Sequence, residues 1–368
     1  MKKIGKKTDD DIRTLEMYEH IRLHPGMYVG MLGDGTSSND GIYVLIKEVL
    51  NNSVDEHMMG FGNKIIIDVT DEMVTVRDFG RGIPLGKLVE VVSKVSTGGM
   101  YDSRAFAKSI GLNGVGIKVV NALSTSFEIR SVRGGQMKTA RFECGKLLEE
   151  SPITACDEPS GTFVQFIPDA SIFCGYRYRE EFIIPMIKNY TYFNIRLTIT
   201  FNGKSLFSNN GLIDLLCENM HQAPMYSPIH LSGDNIEVAI THVNDDGEEY
   251  YSFVNGHYTV QGGTHLSAFK EAVVRTLKKY FHLNSTYSDI LNGMIAVVSI
   301  KVEDPYFETA TRTKLATTDM EPYGQTVSEF VGSFIQKELV NYLQCNPDTA
   351  DIILNKIQNN KLDLGGWR

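Results

Sequence analysis

The stretch "STSFEIRSVRGGQMKTARFECG", residues 124–145, can fold back on itself in only one place. Two arms carrying β-branched and aromatic residues flank Gly134-Gly135, and a Gly-Gly pair supplies the left-handed backbone of a tight hairpin turn. A second stretch of the same form, "NKIIIDVTDEMVTVRD", joins two β-branched arms through a polar turn around Asp71. "GTFVQFIP" and "NIRLTITFNG" read as further strands, while residues 11–22 and 41–59 read as helices. Helices interspersed with mostly antiparallel hairpins predict an α+β sandwich, one face of a mixed sheet covered by helices.

At 368 residues the chain is too long for one ordinary core and suits two domains. The texture changes around 206–224, where "FSNNGLIDLLCENMHQAP" combines turn formers, one short amphipathic helix and a proline. This places the expected boundary between 1–215 and 216–368. The second part alternates again. It has strands at "NIEVAITHV", "EEYYSFVNG" and "GMIAVVSIKV", and a helix at "THLSAFKEAVVRTLKKYF" with Leu266, Phe269, Val273 and Leu277 at helical spacing. Final helices are expected over 325–344 and 347–358, and "LDLGGWR" fits no element.

Composition excludes several classes. With 42% hydrophobic and 22% charged residues the chain is globular, and no run is long enough to span a bilayer. The five cysteines are odd in number and form no Cys-x-x-Cys pair, which argues against a zinc site or disulfide framework and for a reducing cytoplasm. A formal charge of −9 argues against gripping nucleic acid by overall field alone.

Within the helix "GIYVLIKEVLNNSVDEHMMG", Glu48, Asn52 and Asp55 fall within about 60° of one another, opposite Tyr43, Ile46, Leu50 and Val54. Taken alone this is a solvated helix face. Asn, however, is a poor helix-interior residue. A Glu four residues before an Asn places a base and a neutral oxygen ligand at one point, which suits hydrated Mg²⁺ and an attacking water.

Two glycine-bearing segments follow. "VTVRDFGRGIP" sets Asp78 at a strand exit before Gly80 and Gly82, so a carboxylate can accept from an exocyclic amine while a flat ligand lies on the backbone. "STGGMYDSRAFAKSIGLNGVGIKVVNALS" brings Gly111, Gly114 and Gly116 directly to an apolar helix start, where free N–H groups favour an anion. The familiar nucleotide loops fail on spacing: Ile117 stands where a Walker lysine belongs, and Val119 ends the dinucleotide count. Ser96-Thr97-Gly98-Gly99 upstream reads as a lid that orders on a ligand. Thr162, opening the strand "GTFVQF", offers a hydroxyl toward Asp78.

The order of these signals, E-x-x-x-N-x-x-D, D-x-G-x-G, G-x-x-G-x-G, then G-T, resembles the GHKL ATPase superfamily. "HPGMYVG", "DFGRGIP", "GLNGVGIKVVNALS", "SFVNGHYTVQGGTH" and "AVVSIKVEDPYF" further resemble the B subunits of bacterial type II topoisomerases, gyrase and topoisomerase IV, over nearly the whole chain. The resemblance implies a GHKL (Bergerat) ATPase domain followed by a smaller α/β transducer domain. It implies ATP and Mg²⁺, with Glu48 as general base, Asn52 as metal ligand, and Asp78 with Thr162 on adenine. Asp55 and Glu56 would support the pocket, Glu56 pairing with Arg81 at its mouth, where Gly82, Ile83, Pro84 and Arg133 also lie. Gly98, Gly99, Gly111, Leu112, Asn113, Gly114, Val115 and Gly116 would wrap the triphosphate.

The same resemblance implies a basic transducer side chain on the γ-phosphate. Family members have Gln-Thr-Lys there. This chain reads Ala310-Thr311-Arg312, with Lys314 two residues on, so Arg312 is the candidate sensor and Lys314 its rival. Met100, Asn113 and Ile110 also depart from a frequent lysine, histidine and glycine, which predicts slow turnover with binding retained; the first two point to a topoisomerase IV-like branch. The expected partners are a second copy, through an arm at residues 1–20 with a Met17-Tyr18 tip, a transported DNA segment, and an A-type subunit reached through a C-terminal region this chain does not carry. DNA cleavage by the chain alone is not expected. Other GHKL ATPases, or a non-hydrolysing nucleotide-gated dimerisation module, are the alternatives.

Overall fold

The computed structural model describes residues 15–94, 114–309 and 312–365, the last four by backbone only. By backbone contacts the chain separates into two units. Among described residues the first takes 15–56, 65–94 and 114–180, and the second takes 57–64 and the chain from 181 onward.

In the first unit, α1 (Met17–Leu23), α2 (Gly26–Val29) and α3 (Gly41–Met58) precede a hairpin of β1 (Lys64–Val69) and β2 (Val74–Asp78). Two short helices follow, α4 (Leu88–Ser93) and α5 (Gly116–Ala122). The rest is β3 (Ser124–Arg133), β4 (Gln136–Glu143), β5 (Lys146–Glu150), β6 (Thr154–Ala155) and β7 (Gly161–Pro168). The β3–β4 turn is Gly134-Gly135, at φ 61 and 72, the doubly left-handed geometry the sequence predicts.

These strands run in the order β5-β4-β3-β7-β2-β1, with β6 also on β4, and their registers are antiparallel. Period-two alternation puts matching residues in rows across the sheet. Phe142, Phe127, Phe166 and Val74 form one row, and Ala140, Ile129, Val164, Val76 and Ile67 the next; all are buried. Between them Arg141, Glu128, Gln165 and Thr75 form a row on the other face, where Arg141 pairs with Glu128 at 2.7 Å. One face is therefore core and the other polar. α3 supplies Ile42, Leu45, Ile46, Val49, Leu50 and Val54 to the buried set.

Residues 1–14 of the expected arm lie outside the described residues. Met17 and Tyr18, expected at its tip, are the first turn of α1. Tyr18 sits against Gly145 and beneath Lys146, whose Nζ is 5.8 Å from the ring centre. Arg22 fixes the end of this helix, donating to the Ala122 carbonyl at 3.0 Å and to Asp169 at 2.6 Å.

The second unit opens with α6 (Glu180–Phe193), the hairpin β8 (Thr198–Phe201) and β9 (Lys204–Leu206), and α7 (Leu212–Asn219). Its main sheet joins β10 (Ile229–Gly233), β11 (Ile236–His242), β12 (Glu248–Val254), β13 (His257–Tyr258) and β14 (Met294–Ile300) in the order β10-β11-β14-β12-β13, with β12 and β14 parallel. The remaining helices are α8 (Thr264–Phe281), α9 (Tyr287–Leu291), α10 (Val327–Cys345) and α11 (Pro347–Gly365). Helix α11 runs on through "LDLG", a tail the sequence left without an element.

Every residue of β14 is buried, because both faces of its sheet are covered. Met294, Ala296, Val298 and Ile300 pack with Phe269, Val273 and Leu277 of α8 and with apolar residues of α10 and α11. Ile295 and Val297 pack on the other side with Leu212, Leu215 and Leu216. The segment where sequence texture changes is thus the cover of this second face.

Candidate active site

Glu48, Asn52 and Asp55 share a stripe of α3 but not one environment. Asp55 is buried, Glu48 half-buried and Asn52 exposed. Asn51 and Ser53, which sequence reasoning missed, are buried as well. Asn52 Nδ2 donates to the Glu48 carbonyl at 2.9 Å, which commits the amide nitrogen to the helix and leaves the amide oxygen as the end suited to a cation.

Glu48 leans across to the start of α5. A Cβ built on Gly116 would lie 1.9 Å from Glu48 Oε2, so the carboxylate occupies the space a side chain would take. The acid of one element and the glycine of the next are therefore brought together, the carboxylate filling the room that the missing side chain leaves. Gly114 takes φ 55 and Val115 precedes the first turn of α5. Gly98, Gly99, Gly111, Leu112 and Asn113 lie outside the described residues.

Lys118, also missed, is buried in α5 with its Nζ donating to the Gly114 carbonyl. Burial holds its pKa below the usual lysine value. A helical side chain tilts toward the N-terminus, and this one carries its ammonium back to the Gly114–Gly116 corner. The available signal was a lysine inside the apolar run "IKVVNAL", where an ammonium must be led out or given a partner.

Asp78 ends β2 and is only 5% exposed. Its Oδ1 accepts the N–H of Gly80 at 2.9 Å and of Thr162 at 3.0 Å, and its Oδ2 takes only a long 3.4 Å contact from Ser53 Oγ. Thr162 therefore reaches Asp78 through its backbone amide, not through the hydroxyl that the sequence suggested. Burial pushes the Asp78 pKa up, with the two N–H bonds opposing. Oδ2 keeps acceptor capacity for an external N–H donor.

The loop after Asp78 is held from both sides. Arg81 grips Glu56 of α3 with Nη2 to Oε1 at 2.8 Å and Nε to Oε2 at 3.1 Å, and its backbone N–H adds a bond to Oε2 at 2.9 Å. From β3, Arg133 donates to the Gly82 carbonyl at 2.9 Å and Ser131 to the Ile83 carbonyl at 2.7 Å. Gly82 has φ 74, and a Cβ there would meet the Val132 carbonyl oxygen at 2.4 Å. Pro84 then starts a single tight turn at Leu85–Lys87.

Arg312 and Lys314 belong to the second unit. They sit on a small fold-back in which Phe307 bridges Leu315 and the Glu308 N–H bonds the Lys314 carbonyl at 3.1 Å. Lys314 pairs with Glu308 at 2.8 Å, while Arg312 donates to His257 at 2.5 Å.

Residues 37–171 match the family model described as histidine kinase-, DNA gyrase B-, and HSP90-like ATPase, and residues 208–363 match the model described as DNA gyrase B. The chain is thus similar to DNA gyrase B-type proteins over two separate segments. It is 42% identical to the B subunit of DNA topoisomerase 4 from Borreliella burgdorferi over 96% of its length, and 33% identical to the B subunit of DNA gyrase from Treponema denticola over 94%. It spans 58% of each of these relatives. The crystal structure of the 43K ATPase domain of Thermus thermophilus gyrase B in complex with an aminocoumarin aligns with a TM-score of 0.76 at 26% identity, covering 96% of both chains. In this gyrase B-like chain, residues 37–171 thus carry an ATPase fold.

The residues fit such a nucleotide. A buried carboxylate with a spare acceptor stands at one end of the constellation, and an acid, a backbone corner and a buried ammonium at the other. Among the described residues no group of three or more His, Cys, Asp or Glu could hold a metal ion. No helix of the described residues is long and apolar enough to cross a membrane.

Proposed function

We propose that the chain is the ATP-binding and ATP-hydrolysing gate of a bacterial type II DNA topoisomerase, closing as a homodimer when nucleotide binds. Its functional halves are an ATPase domain and a transducer, expected from the sequence to divide at 215/216, while backbone contacts divide the chain at 180/181. The observation that carries the reading is the lodging of Glu48 against Gly116, with Asp78 buried on the neighbouring strand.

Asp78 Oδ2 accepts the exocyclic amine of adenine while Oδ1 stays fixed by Gly80 and Thr162. The glycine corner and Lys118 face phosphate charge, which favours an anion there without covalent chemistry. Mg²⁺, when bound at Asn52, neutralises phosphate oxygens. Glu48 orients the attacking water and takes its proton. Arg312 is the transducer residue for the γ-phosphate, since its guanidinium bonds two oxygens at once; Lys314, paired with Glu308, is the lesser candidate. In the full enzyme this gate closes on a transported DNA segment in the cytoplasm, acting with an A-type subunit. Homology to named topoisomerase subunits supports this reading.

Glu48→Gln tests it. The variant should bind ATP analogue and dimerise as the wild type does, and lose phosphate release by about 100-fold or more. Undiminished phosphate release removes Glu48 from its role. Analogue-induced dimers without any wild-type hydrolysis would favour the non-hydrolysing gate.

A further inference from the structure

We infer that His257 is a positioning residue for Arg312, its neutral imidazole accepting one guanidinium N–H and so setting the direction of the side chain. This rests on the reading of Arg312 as the γ-phosphate contact. The two residues lie 55 positions apart in the chain, and their side chains meet at 2.5 Å between Arg312 Nη1 and His257 Nε2.

Chemistry gives that contact one sense. Arginine carries five N–H donors, no acceptor, and does not lose its proton in proteins. Nη1 must therefore donate to the lone pair of Nε2, which places the imidazole proton on Nδ1. A guanidinium is planar and rigid, so one in-plane bond at Nη1 fixes the bearing of the whole fork. An imidazole does this without cancelling charge. A carboxylate at the same place would orient the fork equally well but neutralise it before phosphate arrives.

The backbones that carry the two side chains are tied together as well. His257 follows the left-handed turn Asn255-Gly256, at φ 49 and 78, between β12 and β13. The buried Asn255 side chain bonds both backbone groups of Val302, Nδ2 to its carbonyl and Oδ1 from its N–H, each at 2.8 Å. The turn bearing His257 is thereby clasped to the chain that leaves β14 toward Arg312. Beyond Arg312, Thr313 is held by Gln261 through the Gln261 N–H to the Thr313 carbonyl at 2.9 Å, and Leu315 donates to Gly262 at 3.0 Å. Arg312 itself takes φ 58, a left-handed backbone that a bulky residue keeps only where its surroundings over-determine it. These ties set the start of the side chain, and His257 sets its end.

The experiment uses the whole chain and compares His257→Leu, which removes the acceptor, with His257→Gln, which restores one. His257→Leu should lower kcat for ATP hydrolysis by about tenfold, leaving KM and the calorimetric affinity for a non-hydrolysable analogue within about twofold, as expected for a contact made chiefly in the transition state. His257→Gln should recover most of the loss. In an Arg312→Ala background, His257→Leu should add nothing, because two residues acting as one unit are not additive. A His257→Leu enzyme with wild-type kcat beside an impaired Arg312→Ala overturns the inference alone, as does a fully additive double variant. Normal hydrolysis by Arg312→Ala overturns it through Arg312 and leaves the ATPase reading standing. Absence of hydrolysis by the wild type takes both down. A melting curve for each variant separates loss of fold from loss of positioning.

Discussion

The two main sheets of this protein differ in what they bury. In the first unit, core residues occupy one face in rows across β4, β3, β7 and β2, and ion pairs such as Arg141–Glu128 occupy the other. Among its buried polar side chains, Asn51, Asp55, Asp78 and Lys118 gather where α3, β2 and α5 meet, and burial opposes the charged forms of Asp78 and Lys118. In the second unit β14 is covered on both faces, and the buried titratable groups include two neutral imidazoles with local partners. His242 bonds Tyr226 at 2.5 Å and His265 meets Thr259 at 3.3 Å. A buried carboxylate with a spare acceptor is what a binding site offers, whereas imidazoles buried in a two-sided core specify a shape.

The largest effect should come from the two-sided core. Phe269→Ala removes a fully buried ring between α8 and β14 and should cost about 3–5 kcal/mol in chemical unfolding. A cost near that of a surface substitution would mean the core is less tightly filled than described.

Acid should strike the same unit next. Burial pushes the pKa of His242 down to about 4 and that of His265 to about 3, from 6.5. A depressed histidine contributes stability above the ordinary value and loses it as pH falls through the folded one. Between pH 6.5 and 4 each imidazole should therefore withdraw about 3 kcal/mol, read from melting curves across that window. His265→Gln should flatten the slope; an unchanged slope would break the contrast drawn here.

The smallest effect belongs to the one-sided sheet and should separate binding from folding. Asp78→Asn turns the spare acceptor into a donor and should weaken nucleotide binding by about 1.5–3 kcal/mol in titration calorimetry. Its effect on stability has the opposite sign. A raised carboxylate favours the fold below its ordinary pKa and loses that advantage as pH rises through the folded value. Near neutral pH the amide should therefore melt at or above the wild-type temperature. A variant that loses both would make Asp78 a structural residue.

Much of this was legible in the sequence, and the failures have physical causes. Gly134-Gly135 announced its hairpin, and "GMIAVVSIKV" announced a strand, whose burial on both faces the structure adds. Of the four helical positions from Leu266 to Leu277, Phe269, Val273 and Leu277 reached the core and Leu266 packs half-buried against it. Helix α6 was harder, because Pro185 interrupts its pattern within the helix. Within the site, residue types on a period could be placed on a face, so Glu48 and Asp78 stood out. Ser53 and Thr162 make their contacts with Asp78 from opposite elements, one through a hydroxyl and one through a backbone amide. Periodicity carries no information about either. Lys118 was hidden by its neighbours, since an apolar run reads as core whichever way one lysine turns.

The clasp of Asn255 on Val302 gives β14 a mechanical meaning. Flanked by β11 and β12 and buried along all seven residues, roughly 23 Å, the strand delivers Val302 to a fixed point, and the turn that carries His257 is fastened to that same point.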